Sequence, residues 1–232
     1  MSDGGYSQFC PVSMAAETLC SRWTLLVLRE LLLGSSRFNE LRRGLPTMSP
    51  ALLSKRLKDL EAAGIVMRVA AEREAGVFEY RPTEAGRELR PIIEAIGVWG
   101  HRWVTTEATL KNLDANLLMW DVRRNISADP MPARRNVIEF IFNDRPAPER
   151  SYWLIVDPDK PVDLCTVDPG FDVDLYVSTD LRTMTEVWLG YTAIGSASAA
   201  GRLVLTGDAE LAADLRAWLK LSVFAQFDKQ VA

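Results

Sequence analysis

One stretch constrains this chain more than any other: residues 47–64, TMSPALLSKRLKDLEAAG. The spacing predicts a capped amphipathic helix. Ser49 is placed to cap the first free backbone amides, and Pro50 follows at the first helical position, where a missing amide hydrogen costs nothing. Leu53, Leu57 and Leu60 recur at four and three residues, so they share one face and need a core. Gly64 supplies a stop. The other face carries Ser54, Lys55, Arg56 and Lys58, with Ala51 and Leu52 near the start. Small and basic groups on an exposed first half suit either the major groove of DNA or an ordinary solvated surface. The helix alone does not choose between them.

Its flanks do. Residues 38–43 predict a short helix with Phe38 and Leu41 inward, and Gly44-Leu45-Pro46 turns the chain into the longer one, a helix-turn-helix pattern. After Gly64, residues 65–69 and 77–81 read as two strands joined through Ala75-Gly76. This ribbon carries Arg68 and, at its tip, Arg73. Such a wing can follow a phosphate backbone or enter a minor groove. Upstream, Cys10-Pro11-Val12 leads into a helix near residues 13–19. RWTLLVLRELLLG then predicts a helix apolar nearly all round, interrupted by Arg29 and Glu30. Downstream, Thr83 caps a helix bearing Leu89, Ile92, Ile93, Ile96, Trp99 and Trp103, with Pro91 marking a bend or break. That stripe is longer than a small domain needs. It implies either the same stripe on a second subunit or packing against the rest of the chain.

Charge sharpens the division. Residues 1–105 hold 14 Lys/Arg against 12 Asp/Glu, a net of +2. Residues 106–232 hold 13 against 19, a net of -6, which argues against that half lying on DNA. Cys10, Cys20 and Cys165 form neither a metal motif nor a disulfide framework. The first residues lack the pattern of a secretory signal, and no apolar run reaches membrane-spanning length, so no membrane span and a cytoplasmic location are expected.

Residues 10–103 resemble the HxlR-type winged helix regulators, a MarR-like branch. The resemblance is carried by CPVSMAAETLCSRWTLLVLRELLLGSSRFNELRRGLP, MSPALLSKRLKDLEAAGIVMR and FEYRPTEAGRELRPIIEAIGVWG. It implies a homodimeric transcription regulator that places residues 49–63 and the wing 68–78 on a double-stranded DNA operator. Under it, Ser49, Ala51, Leu52, Lys55 and Arg56 approach base edges or nearby phosphates. Arg37, Lys58, Arg68 and Arg73 hold the backbone. Some relatives sense thiol stress through the cysteine matching Cys10, so a redox role there is a candidate.

The second half predicts a helix over 113–125, strands over 135–142, 150–156, 162–166 and 171–178, a helix over 180–189, a strand within 201–207 and a helix over 208–221. Residues 191–200 read as a weaker helical turn. The order resembles a sterol carrier protein type 2-like domain over 113–227, chiefly in Asp168-Pro169-Gly170 and in Gly207-Asp208 before the last helix. That resemblance implies a hydrophobic small-molecule effector, with Trp153, Phe171, Met184, Trp188, Trp218 and Phe224 as pocket-wall candidates. Core packing is the competing role for each.

The expected fold class is therefore α+β. A winged helix-turn-helix DNA-binding and dimerisation domain over residues 1–105 precedes an α+β sterol-carrier-like ligand-binding domain over 106–232. The expected function is a sequence-specific DNA-binding transcriptional regulator, controlled by an apolar molecule. An apolar-ligand carrier using its winged helix for protein contact is one alternative, and a thiol-based redox-sensing regulator is another. An enzyme is not expected. The lone histidine, His101, has no nucleophile beside it and reads as a surface or interface group at a helix end. No zinc motif, phosphate-cradling loop or nucleophile elbow appears, so neither a metal nor a cofactor is implied. Asp157, Asp159, Asp163 and Asp168 sit beside Pro and Gly, where turn formation explains them.

Overall fold

The computed structural model describes residues 5–72, 74 and 76–231. The chain divides into two compact units, one up to Gly97 and one from Val98.

The first unit is built from α1 (Pro11–Leu19), α2 (Thr24–Leu32), α3 (Phe38–Gly44), α4 (Pro50–Ala62), the ribbon β1 (Val66–Ala70) and β2 (Phe78–Pro82), then α5 (Glu84–Glu88) and most of α6 (Arg90–Trp103). Ser49 caps α4 by accepting from Leu52 N at 3.3 Å, and Pro50 occupies its first position. Past Ala63, Gly64 takes a φ of 69°, which lets the chain leave the helix and enter β1. Leu53, Leu57 and Leu60 are buried with Val27, Leu28, Leu31 and Leu41, so α4 is fixed by its leucine face against α2 and α3. β1 and β2 pair antiparallel, Val66 opposite Pro82 and Ala70 opposite Phe78. Thr83 caps α5 by accepting from Gly86 N. The break expected at Pro91 is real: α5 ends at Glu88, and α6 restarts with Pro91 as its second residue. There its missing N–H costs no helical bond.

The second unit contains α7 (Thr106–Thr109), α8 (Ala115–Asn125), β3 (Asn136–Phe142), β4 (Ser151–Val156), β5 (Asp163–Cys165), β6 (Leu175–Thr179), α9 (Leu181–Trp188), α10 (Ile194–Ala199), β7 (Leu203–Gly207), α11 (Ala209–Ala213) and α12 (Leu215–Trp218). The strand order is β5-β4-β3-β6-β7. β3 and β6 run parallel while the other neighbours are antiparallel, so the sheet is mixed. Ile138, Phe140, Phe142, Tyr152, Leu154, Leu175 and Val177 point to one face. There they meet Leu118, Met119 and Val122 of α8, and Leu181, Met184, Val187 and Trp188 of α9.

The helix expected over 208–221 is instead two short ones broken at Asp214. Trp218 is turned fully inward and its Nε1 donates to Leu211 O at 2.8 Å. The indole thereby takes a carbonyl that a continuous helix would spend on its own backbone. His101 is also not a surface group. It is 8% exposed, and its Nε2 lies 2.9 Å from Phe227 O. Its ring stands 5.3 Å from that of Tyr191. Burial pushes its pKa down, and Lys229 and Arg102 push the same way, against the Phe227 carbonyl, which pushes it up. Among the described residues, no helix is long and apolar enough to cross a membrane, and no group of three or more His, Cys, Asp or Glu is arranged to hold a metal ion.

Candidate nucleic-acid interface

The first unit places α3, a turn and α4 in succession, with the β1–β2 ribbon directly after them. Of the residues assigned to DNA, Ser49, Ala51, Lys55 and Lys58 are exposed on α4, and Leu52 is half-buried. Ser49 through Leu52 form the first turn, where free amides and the helix dipole favour an anion. Arg56 is arranged differently. Its side chain is only 16% exposed. Nε donates to Arg22 O at 3.0 Å, and a terminal nitrogen pairs with Asp59 at 2.7 Å. The guanidinium thus ties α4 to the segment between α1 and α2. The same flank of α4, through Lys55, Arg56, Asp59, Leu60 and Ala63, lines a cleft of about 390 Å³ facing Glu17, Thr18, Ser21 and Thr24.

On the wing, Arg68 is exposed and lies over the Phe78 ring at 3.7 Å. Arg73 lies outside the described residues. Arg37, at the N-cap position of α3, reaches across to Glu74 and pairs with both carboxylate oxygens, at 2.6 and 3.2 Å. Glu79 and Arg81 pair along β2 at 2.8 Å. The ribbon is also anchored by backbone, because Tyr80 N donates to Ser36 O at 2.8 Å.

The six pocket-wall candidates of the second unit do not share one surface. Met184, Trp188 and Trp218 belong to the apolar core. Trp153 alternates with the inward Tyr152 and Leu154, so it points to the opposite face of the sheet. Phe171 is exposed under the guanidinium of Arg135, 4.5 Å from its ring centre. Phe224 lies beside His101. Three of the four turn carboxylates are occupied locally. Asp157 pairs with Arg135 and Lys160, Asp168 accepts from Gly170 N, and Asp163 accepts from Leu164 N.

Cys10 is half-exposed at the N-cap of α1 and makes no capping hydrogen bond. The backbone N–H of Ser13 and then that of Val12 favour its thiolate, so the thiol sits below its ordinary range.

Comparison with known proteins decides what this arrangement is. The model of the HxlR-like helix-turn-helix family matches residues 18–108. The chain is 38% identical over 99 residues to the uncharacterized HTH-type transcriptional regulator YvaP of Bacillus subtilis (strain 168), covering 42% of this chain and 92% of YvaP. The chain belongs to the HxlR-like helix-turn-helix family. A second relative, the uncharacterized HTH-type transcriptional regulator sll1512 of Synechocystis sp., is 35% identical over 43% of this chain and 73% of its own length. A solved structure described as the redox regulator HypR in its reduced form is 34% identical over 39% of this chain and 90% of that chain, with a TM-score of 0.37.

As an HxlR-like protein, the chain is a sequence-specific DNA-binding transcriptional regulator. The family match runs from the end of α1 into α7, so it takes in α3, α4, the wing and α6 together. Sequence reasoning missed Glu74 and the inward commitment of Arg56. The partners are 37 and 34 residues apart in the chain, and no local spacing joins them.

Proposed function

We propose that this HxlR-like regulator binds a double-stranded DNA operator as a symmetric homodimer, with α4 in the major groove and the wing along the phosphate backbone. The observation that carries this reading is the division of α4: Leu53, Leu57 and Leu60 are buried, while Ser49, Ala51, Lys55 and Lys58 stand exposed. Ser49, Ala51, Leu52 and Lys55 approach base edges or adjacent phosphates, and Lys58, Arg68 and Arg37 contact the backbone. Arg56 acts as a positioning residue, because its Nε and one terminal nitrogen tie α4 to Arg22 O and Asp59 and its side chain is only 16% exposed. Lys55→Ala is expected to weaken operator binding about tenfold with the thermal midpoint unchanged, since a good contact to a base edge is worth about 1–3 kcal/mol. An unaltered gel shift for Lys55→Ala would remove that residue from the interface.

A second reading, control by thiol chemistry, is favoured by the lowered thiol of Cys10. Its thiolate fraction should rise at lower pH than that of an unperturbed thiol. Alkylation of Cys10, followed by mass spectrometry, is therefore expected to reach half its maximal rate at lower pH than alkylation of a free cysteine under the same conditions. Oxidant should then release operator from the wild type and not from Cys10→Ser. An ordinary alkylation profile, or equal release from both proteins, excludes the thiol reading.

For the second unit we infer a sterol-carrier-like domain that takes an apolar effector. It is supported by the element order, a mixed five-stranded sheet with helices packed on its apolar face. The gel shift repeated with a long-chain fatty acid tests it, and unchanged operator affinity at saturation counts against such an effector.

A further inference from the structure

The pair between Arg37 and Glu74 joins the start of α3 to the wing, and it uses the geometry a guanidinium would offer a phosphate. The backbone of Arg37 is fixed: Glu40 Oε2 accepts from Ser36 N at 2.9 Å and from Arg37 N at 3.0 Å. From that fixed point both terminal nitrogens engage both carboxylate oxygens of Glu74. Fork-on-fork pairing of this kind is shared by carboxylates and phosphates.

Two observations argue that this pair is not a structural lock. Its side chains are 39% and 48% exposed, and solvent-exposed ion pairs contribute little to stability. The wing also has independent anchors, in the Tyr80 N to Ser36 O bond and the β1–β2 ladder. A carboxylate on the wing is moreover the wrong charge for a surface that meets phosphates. Glu72, two residues earlier in the chain, is a second exposed carboxylate between β1 and β2. The pair is therefore held in place, exposed and exchangeable.

We propose that Glu74 is a specificity-determining residue. It occupies the fork of Arg37 until an operator phosphate displaces it. Arg37 then adds to binding only where contacts from α4 already hold the duplex in register. This rests on the reading of α4 and the wing as the DNA face.

The test compares the full-length wild type with Glu74→Gln. One duplex is selected by the wild type from a random-sequence pool, and the other is a scrambled version of it. Affinity is measured across a salt series. Freeing Arg37 should tighten binding of Glu74→Gln to the scrambled duplex by roughly three- to tenfold. It should also steepen the log–log salt slope by about 0.9, the value of one added phosphate contact on B-DNA. On the selected duplex the slope should not change, because Arg37 is already engaged there. Arg37→Ala in the Glu74→Gln background should erase the gain.

An unchanged slope on the scrambled duplex overturns the proposal. So does weaker binding to both duplexes, which would make the pair a positioning device, and so does equal steepening on both, which would make Glu74 a uniform brake. If the wild type selects no duplex at all, the reading of the DNA face fails, and this inference with it. Normal wild-type selection with an unaltered variant sinks the inference alone.

Discussion

Replacing Glu30 by alanine is expected to destabilise the first unit by about 2–4 kcal/mol, reaching a little lower than the range for breaking a fully buried ion pair because its partner Arg29 is 29% exposed. Glu30 sits in α2 with no exposed surface. Its Oε1 accepts from Arg29 at 2.8 Å, and its Oε2 accepts from the buried Ser35 hydroxyl at 3.2 Å. The same Arg29 nitrogen donates to Gly44 O at 3.1 Å, so the arginine reaches the C-terminal end of α3. Gly44 completes the arrangement from the other side, since a Cβ there would stand 1.9 Å from the Glu30 carboxylate. No side chain fits between the end of α3 and that carboxylate. Alanine at position 30 would leave Ser35 without this acceptor, leave Arg29 without its carboxylate and open a void beside Gly44. Glu30→Gln should recover part of the loss, because it keeps an acceptor for Ser35 and fills the space. Hydrogen exchange resolved by segment is the suitable measurement. Amides of α2 and α3 should exchange faster in Glu30→Ala while those of β3 and β6 keep their protection. A change below about 1 kcal/mol, the size of an ordinary neutral hydrogen bond, would show that Glu30 does not hold the end of α3.

Glu30 also illustrates which parts of this fold a sequence reveals. In the sequence it looks like an interruption of an apolar run. Its burial depends on Arg29, Ser35 and Gly44 converging from three segments. Helix α4 was legible because everything that defines it is local: the Ser49 cap, Pro50, and leucines at helical spacing. Strand β4 was legible for the same reason, since Tyr152, Leu154 and Val156 alternate with less buried neighbours; its pairing with β3 was not, because no local spacing sets it. The break at Asp214 was not, because it depends on where the Trp218 indole finds an acceptor. At the candidate site, exposure of Ser49, Ala51, Lys55 and Lys58 followed from periodicity. The commitments of Arg37 and Arg56 did not, since a long flexible side chain on an exposed face reads the same whether it is free or tied to a distant residue.

The second large effect is expected on α6. Ile96→Asp combined with Trp99→Asp should convert the regulator to a monomer by light scattering and weaken operator binding at least about a hundredfold. Ile92, Ile96, Trp99 and Trp103 lie four, three and four residues apart and so share one face of the helix. They are 48, 47, 62 and 51% exposed. Burying a large apolar side chain fully is worth about 1.5–3 kcal/mol, and half of that remains available at each position. Four positions on each of two copies then offer roughly 6–12 kcal/mol, against an association cost of about 4–15 kcal/mol. The stripe alone is thus close to balance. Val12 and Met14 of α1, 76% and 60% exposed, are further apolar surface that a dimer could cover. An interface so near balance should not survive two buried carboxylates at its centre. Loss of the dimer would remove the second recognition helix from its half-site, and with it the gain from making the second binding event intramolecular. Because both residues are exposed on one chain, the variant should keep its helical content, which separates lost assembly from lost folding. A variant that remains dimeric, or a monomer that binds operator as tightly as the wild type, would show that this stripe serves some other contact.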